Sequence, residues 1–397
     1  MKKKKLLLLT EVFYPENFLI NDWVAQWERN GGEIEVLTRT PSYPYGRVYA
    51  GYKNKLYQTT YFNTVKVHRI PVCQGYSKSV FIKVLNYFTF VFWSCWVVLL
   101  IGRHFDRVFI YQTGPLTLAT AGIFLKKWYK AKVIIWTQDL WPETVYAYGF
   151  KKTKLLHACL NRFVRWIYKN SDEILVSCEG FGKRLLRYVP EKEIRFVPNW
   201  SLVEYNPQAA VASLPGKFNF TFAGNIGKVQ NLENVLQGFS LFATHHPEVW
   251  FNLIGDGSHL EYLKYWVLRH HIPRVNFIGR IPLEQMSGYY SASDVLVVSL
   301  KDVPVYELTV PSKVQAYLVT GKPVYAVLKG ETKALVERYG VGYTADPGDI
   351  QTIADGFEYF FNASSEKLRE MSCRAHYVAD TIYNKENIIE KINSIIK

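Results

Sequence analysis

The run FNFTFAGNIGKVQNLENVLQGFSLF, residues 218–242, decides the fold. Its first six residues read as a strand, 218–223, rich in aromatics. Gly224-Asn225-Ile226-Gly227 then turns the chain into a helix over 233–242. The same parts recur downstream. A strand over 250–254 meets Gly255-Asp256-Gly257 and a helix over 259–270, and a strand over 275–278 meets Gly279-Arg280. A strand over 295–299, a loop, a helix over 312–319 and a strand over 324–327 follow. Strands that feed glycine turns and then helices describe a doubly wound parallel sheet, which binds ligands at the carboxyl ends of its strands.

Upstream the alternation is similar. Strands are expected over 6–9, 34–38, 65–70, 108–111, 133–137, 173–177 and 194–197, with helices over 23–29 and 118–129 among them. A helix over 154–169 places Leu156, Leu160, Phe163, Val164 and Ile167 on one face. Val197-Pro198-Asn199-Trp200-Ser201 and Asn206-Pro207 read as a linker. A chain of 397 residues holds two domains at about 150 residues each. The expected fold is α/β: two Rossmann-like domains facing across a cleft, over 1–199 and 200–375, with a helix over 376–397 packing back on the first. The opening MKKKKLLLLT is basic, but its apolar run is too short for an export signal and reads as a buried strand.

Composition narrows the class. Apolar residues make up 49% and charged residues 21%, a globular balance. Five scattered cysteines, none in a C-x-x-C pair, disfavour a disulfide scaffold and a zinc ribbon and fit a reducing cytoplasm. Residues 1–199 carry 30 Lys and Arg against 14 Asp and Glu, a net +16 of the chain's +14, so the remainder is −2. The first half should face something anionic. H-E-x-x-H, Walker, G-x-G-x-x-G and G-x-S-x-G patterns are all missing from the sequence, which counts against a zinc protease, a nucleotide triphosphatase and an α/β-hydrolase.

Residues 84–101, VLNYFTFVFWSCWVVLLI, contain no charge. As a helix they would reach about 27 Å, borderline for a bilayer. Lys78, Lys83, Arg103 and Arg107 flank the run. A helix embedded in or docked on one leaflet fits best; a core helix and a full span are the alternatives, and a span would divide the first domain.

Three segments carry candidate chemistry. Gly224, Asn225 and Gly227, with Lys228 next, offer backbone amides to a phosphate. Pro311, Ser312 and Lys313 open a helix, where a lysine is disfavoured unless an anion binds. Asp139 and Glu143, with Trp141 and Pro142 between, follow a strand and suit hydroxyl binding, acid–base work or helix capping. Glu16, Asn21 and Asp22 follow the first strand.

In order and number these motifs resemble the retaining, GT-B-fold glycosyltransferases of family 4, and more narrowly the N-acetyl-fucosaminyl (fucosamine) transferases of O-antigen and capsule synthesis. The likeness runs nearly end to end: Tyr14-Pro15-Glu16-Asn17-Phe18, Pro41 to Gly46 around Tyr43, Tyr111-Gln112, Gln138 to Glu143, Pro198-Asn199-Trp200, Ala223 to Gly227 with Gln230, Gly255 to Gly257, Pro311-Ser312-Lys313 with Gln315 and Tyr317, and Gly321-Lys322-Pro323. The resemblance implies a nucleotide-sugar site in the second domain, with Gly257 among its donor-binding residues, Gly279-Arg280-Ile281 holding the base through backbone groups and Glu307 to Lys313 around ribose, diphosphate and sugar. It implies an acceptor side in the first domain, at Glu16, Asn21, Tyr43 and Trp141. The family commonly has two glutamates eight residues apart. Glu307 suits the first, whereas spacing puts Gln315 and alignment on the Pro-Ser-Lys helix puts Ala316 at the second. Asn225 and Gln230 stand where the family has an Arg…Lys pair, which leaves Lys313, then Lys228, for the diphosphate charge.

The expected reaction moves a sugar, an N-acetylated 6-deoxyhexose, from a UDP-sugar co-substrate to a polyprenyl-diphosphate-linked saccharide, without a metal. Lys313 and Glu307 would serve the donor, while Asp139 or Glu143 would orient the acceptor hydroxyl. The basic half would meet anionic inner-leaflet lipids, leaving the protein cytoplasmic and peripheral on the plasma membrane. A UDP-sugar 2-epimerase on the same fold and a basic nucleic-acid-binding protein are the rivals. The first lacks visible acid–base residues for C2, and the second lacks a reader motif, so nucleic acid is not an expected partner.

Overall fold

Leu6–Thr10 is buried at all five positions, as a parallel strand covered on both faces must be. It is β1 of a computed structural model that describes residues 5–76, 79–147, 149–189, 194–206 and 208–397. The basic start at 1–4, Lys78 and Pro207 lie outside the described residues. The chain forms two units, Met1–Pro198 with Glu386–Lys397, and Asn199–Lys385.

In the first unit β1 is followed by α1 (Leu19–Arg29), β2 (Ile34–Arg39), β3 (Gln58–Phe62), β4 (Val65–Ile70), α2 (Val80–Ile101), β5 (Arg107–Gln112), α3 (Ala119–Tyr129) and β6 (Lys132–Thr137). Then come α4 (Glu143–Ala147), α5 (Lys154–Asn170), β7 (Glu173–Val176), α6 (Glu179–Leu185) and β8 (Ile194–Phe196). The strand order is β3-β4-β2-β1-β5-β6-β7-β8. Only β3 runs antiparallel, against β4, while the remaining described pairs are parallel. The six strands from β4 to β7 reproduce the doubly wound order, whose reversal point lies between β1 and β5. On α5, Val164 and Ile167 are buried, whereas Leu156, Leu160 and Phe163 are half-buried.

The second unit contains β9 (Phe218–Ala223), α7 (Leu232–Ala243), β10 (Val249–Ile254), α8 (Leu260–Arg269), β11 (Val275–Gly279), α9 (Met286–Ala292) and β12 (Val295–Ser299). It continues with α10 (Ser312–Val319), β13 (Val324–Val327), α11 (Glu331–Tyr339), β14 (Gly342–Ala345), α12 (Ile350–Phe361) and α13 (Ser365–Thr381). The order β11-β10-β9-β12-β13-β14 is again doubly wound and, in every described pair, parallel. Leu232, Val235, Leu236, Phe239 and Phe242 bury one stripe of α7, at the spacing an amphipathic helix requires. They meet Phe220 and Phe357, whose ring centroids lie 4.8 Å apart edge to face. A Cβ on Gly238 would lie 2.5 Å from Ile353 Cγ2, so α7 and α12 touch where only glycine fits.

The helical tail divides differently from the expected 376–397. α13 stays with the second unit, and the return to the first begins at Glu386 with α14 (Lys385–Ile396). There Asn393 Oδ1 accepts from Trp23 Nε1 at 3.0 Å, and Lys391 Nζ donates to the Phe196 carbonyl at 2.8 Å. The boundary between the units falls inside the expected linker, between Pro198 and Asn199, and Val197 and Trp200 on either side of it are buried. Val197 O accepts from Trp136 Nε1 at 2.9 Å.

α2 extends the expected helix to 22 residues and is not a core helix. Phe88 and Leu100 are 66% and 74% exposed, in a stripe with Phe81, Leu85, Phe92 and Trp96. Its polar residues point the other way: Asn86 and Ser94 are buried with Phe90 and Val97. Asn86 Oδ1 accepts from the Cys73 amide at 2.9 Å, and Ser94 Oγ donates to the Val91 carbonyl at 3.0 Å.

Candidate functional site

In the second unit the turns after neighbouring strands are stitched together. The Gly224 amide donates to the Ile254 carbonyl (2.9 Å), Ile226 to Asp256 (2.8 Å) and Gly255 to Gly279 (2.8 Å). A Cβ at Gly255 would fall 1.9 Å from the Gly224 carbonyl oxygen, and one at Gly257 2.3 Å from that of Ile226. These glycines are therefore steric necessities of three turns in contact. Gly224, Asn225 and Lys228 are exposed and Gly227 is buried, while Arg280 is exposed and Ile281 half-buried.

β9 and β12 pair only at Val295 with Phe220 and Leu296 with Thr221, then part. Tyr317 of α10 fills the opening: its hydroxyl accepts from the Ala223 amide (3.0 Å) and reaches the Val297 carbonyl (3.1 Å). One turn earlier, Lys313 brings its ammonium to the same point. Nζ donates to Gln230 Oε1 at 2.8 Å, lies 3.5 Å from the centroid of the Phe222 ring and abuts Gly224. Burial pushes the Lys313 ammonium well below its ordinary range, so a neighbouring anion would restore the charge. Gly224, Gln230 and Lys313 thus meet at the strand-order reversal of the second sheet, the place where doubly wound sheets bind ligands.

The Glu307 to Lys313 loop is fixed from behind. A Cβ on Gly330 would meet the Glu307 carbonyl oxygen at 2.0 Å, and Thr332 Oγ1 donates to the Thr309 carbonyl at 2.9 Å. The half-buried Glu307 carboxylate has no hydrogen-bond or ion-pair partner among the described residues. Pro311 is half-buried and Ser312 exposed at the start of α10. Gln315 has a different place: it is buried, and its amide nitrogen donates to the Ser312 and Pro311 carbonyls at 2.9 and 3.1 Å. It braces the first turn of α10.

The residues expected on the acceptor side mostly hold loops. Glu16 is buried; Oε1 accepts from the Ser42 and Tyr43 amides (2.8 and 2.7 Å) and Oε2 from the Phe13 amide (3.2 Å). Asn21 accepts from the Tyr14 amide at 3.1 Å and donates to the Glu16 carbonyl at 2.7 Å. Together they set the loop that presents Tyr43, whose ring lies 5.5 Å from that of Phe18. Glu143 begins α4 and pairs with Arg184 Nε at 2.5 Å. Asp139 accepts from Thr144 Oγ1 at 2.6 Å, and burial raises its carboxyl to about 6.

Between the carboxyl ends of β1 and β5 lies a polar cavity of about 320 Å³. Its wall includes Glu11, Arg39, Tyr43, Tyr76 and Lys83. Three of these, Glu11, Arg39 and Lys83, were not among the candidates. Glu11 follows the most buried strand and Arg39 ends β2, a positional signal available from the strand reading alone. Lys83 is hidden at the start of an apolar helix. Glu11 and Arg39 are each 4% exposed and stand 3.7 Å apart. Burial raises the Glu11 carboxyl to about 7 despite Arg39. An apolar cavity of about 260 Å³ adjoins, lined by Asp139, Trp141, Phe88, Phe150, Leu156 and Leu160 among others. Gln112 braces the loops beneath both, donating to the Gly114 and Asp139 carbonyls at 2.7 and 2.9 Å. Among the described residues no group of three His, Cys, Asp or Glu is placed to hold a metal ion.

Comparison with known proteins follows this division. Residues 208–376 match the glycosyl transferases group 1 family, and residues 19–200 match the glycosyl transferase 4-like domain. The probable glycosyltransferase WbjE of Pseudomonas aeruginosa is 27% identical over 258 residues, 61% of this chain and 63% of that protein, just under two thirds of its length. The putative colanic acid biosynthesis glycosyl transferase WcaI of Escherichia coli K12 is 21% identical over 94% of this chain and 93% of its own. Among solved structures, sucrose-phosphate synthase from Thermosynechococcus elongatus superposes with TM-score 0.73 at 15% identity, covering 99% of this chain and 98% of that one. The structure described as trehalose-6-phosphate from E. coli bound with UDP-2-fluoro glucose gives 0.72 at 9% identity, covering 99% of each. These two likenesses establish the fold, the two-unit α/β architecture of GT-B proteins.

Proposed function

We propose that this chain, which belongs to the GT-B glycosyltransferases through a 4-like domain over residues 19–200 and a group 1 domain over residues 208–376, transfers a sugar from a UDP-sugar to a polyprenyl-diphosphate-linked saccharide with retention. An N-acetylated 6-deoxyhexose such as N-acetylfucosamine is the proposed sugar, and surface-polysaccharide synthesis the setting. The observation that carries the donor reading is the Lys313 ammonium, 2.8 Å from Gln230 and against Gly224 at the reversal point of the second sheet. A related fold bound with UDP-2-fluoro glucose supports UDP as the nucleotide.

As the glycosidic bond breaks, the electron pair goes to the β-phosphate oxygen of UDP. Lys313, with the exposed turn at Gly224 and Asn225, stabilises that charge, and no resident metal is required. The acceptor oxygen forms its bond to the anomeric carbon on the same face, and its proton leaves with the departing diphosphate. Glu307 is the proposed partner of ribose or donor sugar.

Purified protein mixed with UDP-sugars and a polyprenyl-diphosphate saccharide tests the reading. UDP release with the sugar recovered on the lipid is expected; release without transfer to lipid contradicts it. Lys313→Ala should lower turnover by roughly 10²–10³, the loss typical of one transition-state donor. Lys228→Ala, altering an exposed side chain, should cost far less. Equal, small losses would remove Lys313 from the mechanism.

The outward face of α2 and the excess of basic residues in the first half support peripheral docking on an anionic inner leaflet, with Phe81, Phe88, Phe92 and Trp96 entering the headgroup region.

A further inference from the structure

The polar and apolar cavities of the first unit share Tyr87, Gly114 and Pro115 in their walls. Along α2, Lys83 lines the polar cavity, Val84 and Phe88 line the apolar one, and Tyr87 lines both. The polar wall also holds two unsatisfied atoms. Glu11 Oε1, an acceptor, and Arg39 Nε, a donor, are buried without a hydrogen-bond partner. Neither atom is itself open to the cavity; what Glu11 and Arg39 present there, an acidic and a basic side chain each 4% exposed, suits hydroxyl groups, which donate and accept. Tyr43 and Tyr76 in the same wall offer ring surface of the sort that packs on sugars. Lys83 lies in the electrostatic reach of Glu11 on the polar side and of Asp139, which lines the apolar cavity.

We propose that the two cavities are halves of one acceptor site: Glu11 and Arg39 hold hydroxyls of the acceptor saccharide, Lys83 holds the diphosphate, and the apolar cavity takes the first isoprene units. This deepens, and rests on, the lipid-linked acceptor proposed above. The order of chemical groups across the wall matches that of the ligand: saccharide, diphosphate, hydrocarbon. All of these residues belong to the first unit, whereas Gly224, Gln230 and Lys313 belong to the second, so the site should govern acceptor affinity.

The test is a titration of the intact chain, its donor site filled with saturating UDP, with farnesyl diphosphate, inorganic pyrophosphate and farnesol by calorimetry. Farnesyl diphosphate should bind roughly tenfold or more tightly than either part alone. It should compete with the lipid acceptor and not with the UDP-sugar. Lys83→Ala should weaken farnesyl diphosphate but not farnesol, and Leu160→Asp should weaken both. Glu11→Gln should raise KM for the acceptor while KM for the donor stays fixed. Farnesyl diphosphate that binds no better than pyrophosphate, or that competes with the UDP-sugar alone, overturns the site on the unmodified protein, independent of any variant's folding. Transfer to lipid that survives Lys83→Ala and Leu160→Asp unchanged also overturns the site but leaves the proposed activity standing. Tight farnesyl diphosphate binding without transfer to any lipid-linked saccharide supports the site and removes the activity.

Discussion

Glu11 shows how one residue couples cavity and stability. Its carboxyl sits at about 7 against an ordinary 4.5, mainly through burial. A folded-state value above the unfolded one means the folded form binds its proton more tightly. The stabilising contribution is therefore complete below about pH 4.5 and is lost as pH rises through 7. Glu11→Gln should remove this slope, an effect on the order of a few kcal/mol in the ligand-free protein. Unfolding midpoints from pH 4.5 to 8 measure it, and parallel curves for both proteins would contradict it. Lys313 was legible at this scale because a lysine opening a helix conflicts with the helix dipole. The duties of Glu16, Asn21 and Gln315 were not, because their partners include the backbone amides of Ser42, Tyr43 and Tyr14 and the carbonyls of Ser312 and Pro311. Sequence spacing reveals side-chain types, and it is silent on which loop amides converge on them.

Among elements, α7 and α12 meet through Gly238, where a Cβ would lie 3.1 Å from the Ala354 amide nitrogen as well as 2.5 Å from Ile353. Gly238→Ala should cost about 1–3 kcal/mol by overpacking, seen as a lower denaturant midpoint; an unchanged midpoint would contradict the contact. α2 makes the opposite kind of statement. With Asn86 and Ser94 inside and Phe81, Phe88 and Phe92 outside, its polarity is inverted relative to a helix facing water. Phe88→Asp should therefore leave thermal stability nearly unchanged while weakening sedimentation with anionic vesicles; unaltered vesicle binding would remove this face from membrane contact. Most strands could be read from apolar runs. β3 could not, because its half-exposed QTTYF pattern belongs to an edge with little apolar character, and GYTA of β14 is too short and mixed to stand out.

On the scale of the molecule, the six strands from β4 to β7 of the first sheet repeat the order of the second, and both candidate sites fall where that order reverses. The alternation of strand, glycine turn and helix made this architecture readable from the chain alone, whereas the crossing at Glu386 depends on contacts of Asn393 and Lys391 with distant residues. The charge excess over 1–199 belongs to this scale. If it draws the protein to an acidic leaflet, vesicle binding should fall as salt rises from 0.05 to about 0.5 M, since screening shortens to a few ångströms. Salt-insensitive binding would assign the attachment to apolar contact alone. The proposed donor site requires the Lys313 ammonium at the mouth of α10 to grip a diphosphate. Calorimetric affinities of UDP and uridine for the unmodified protein and for Lys313→Ala test it most directly. The variant should lose most of the preference for UDP while uridine binding is unchanged; equal UDP affinity in the two proteins would mean that the ammonium holds no diphosphate.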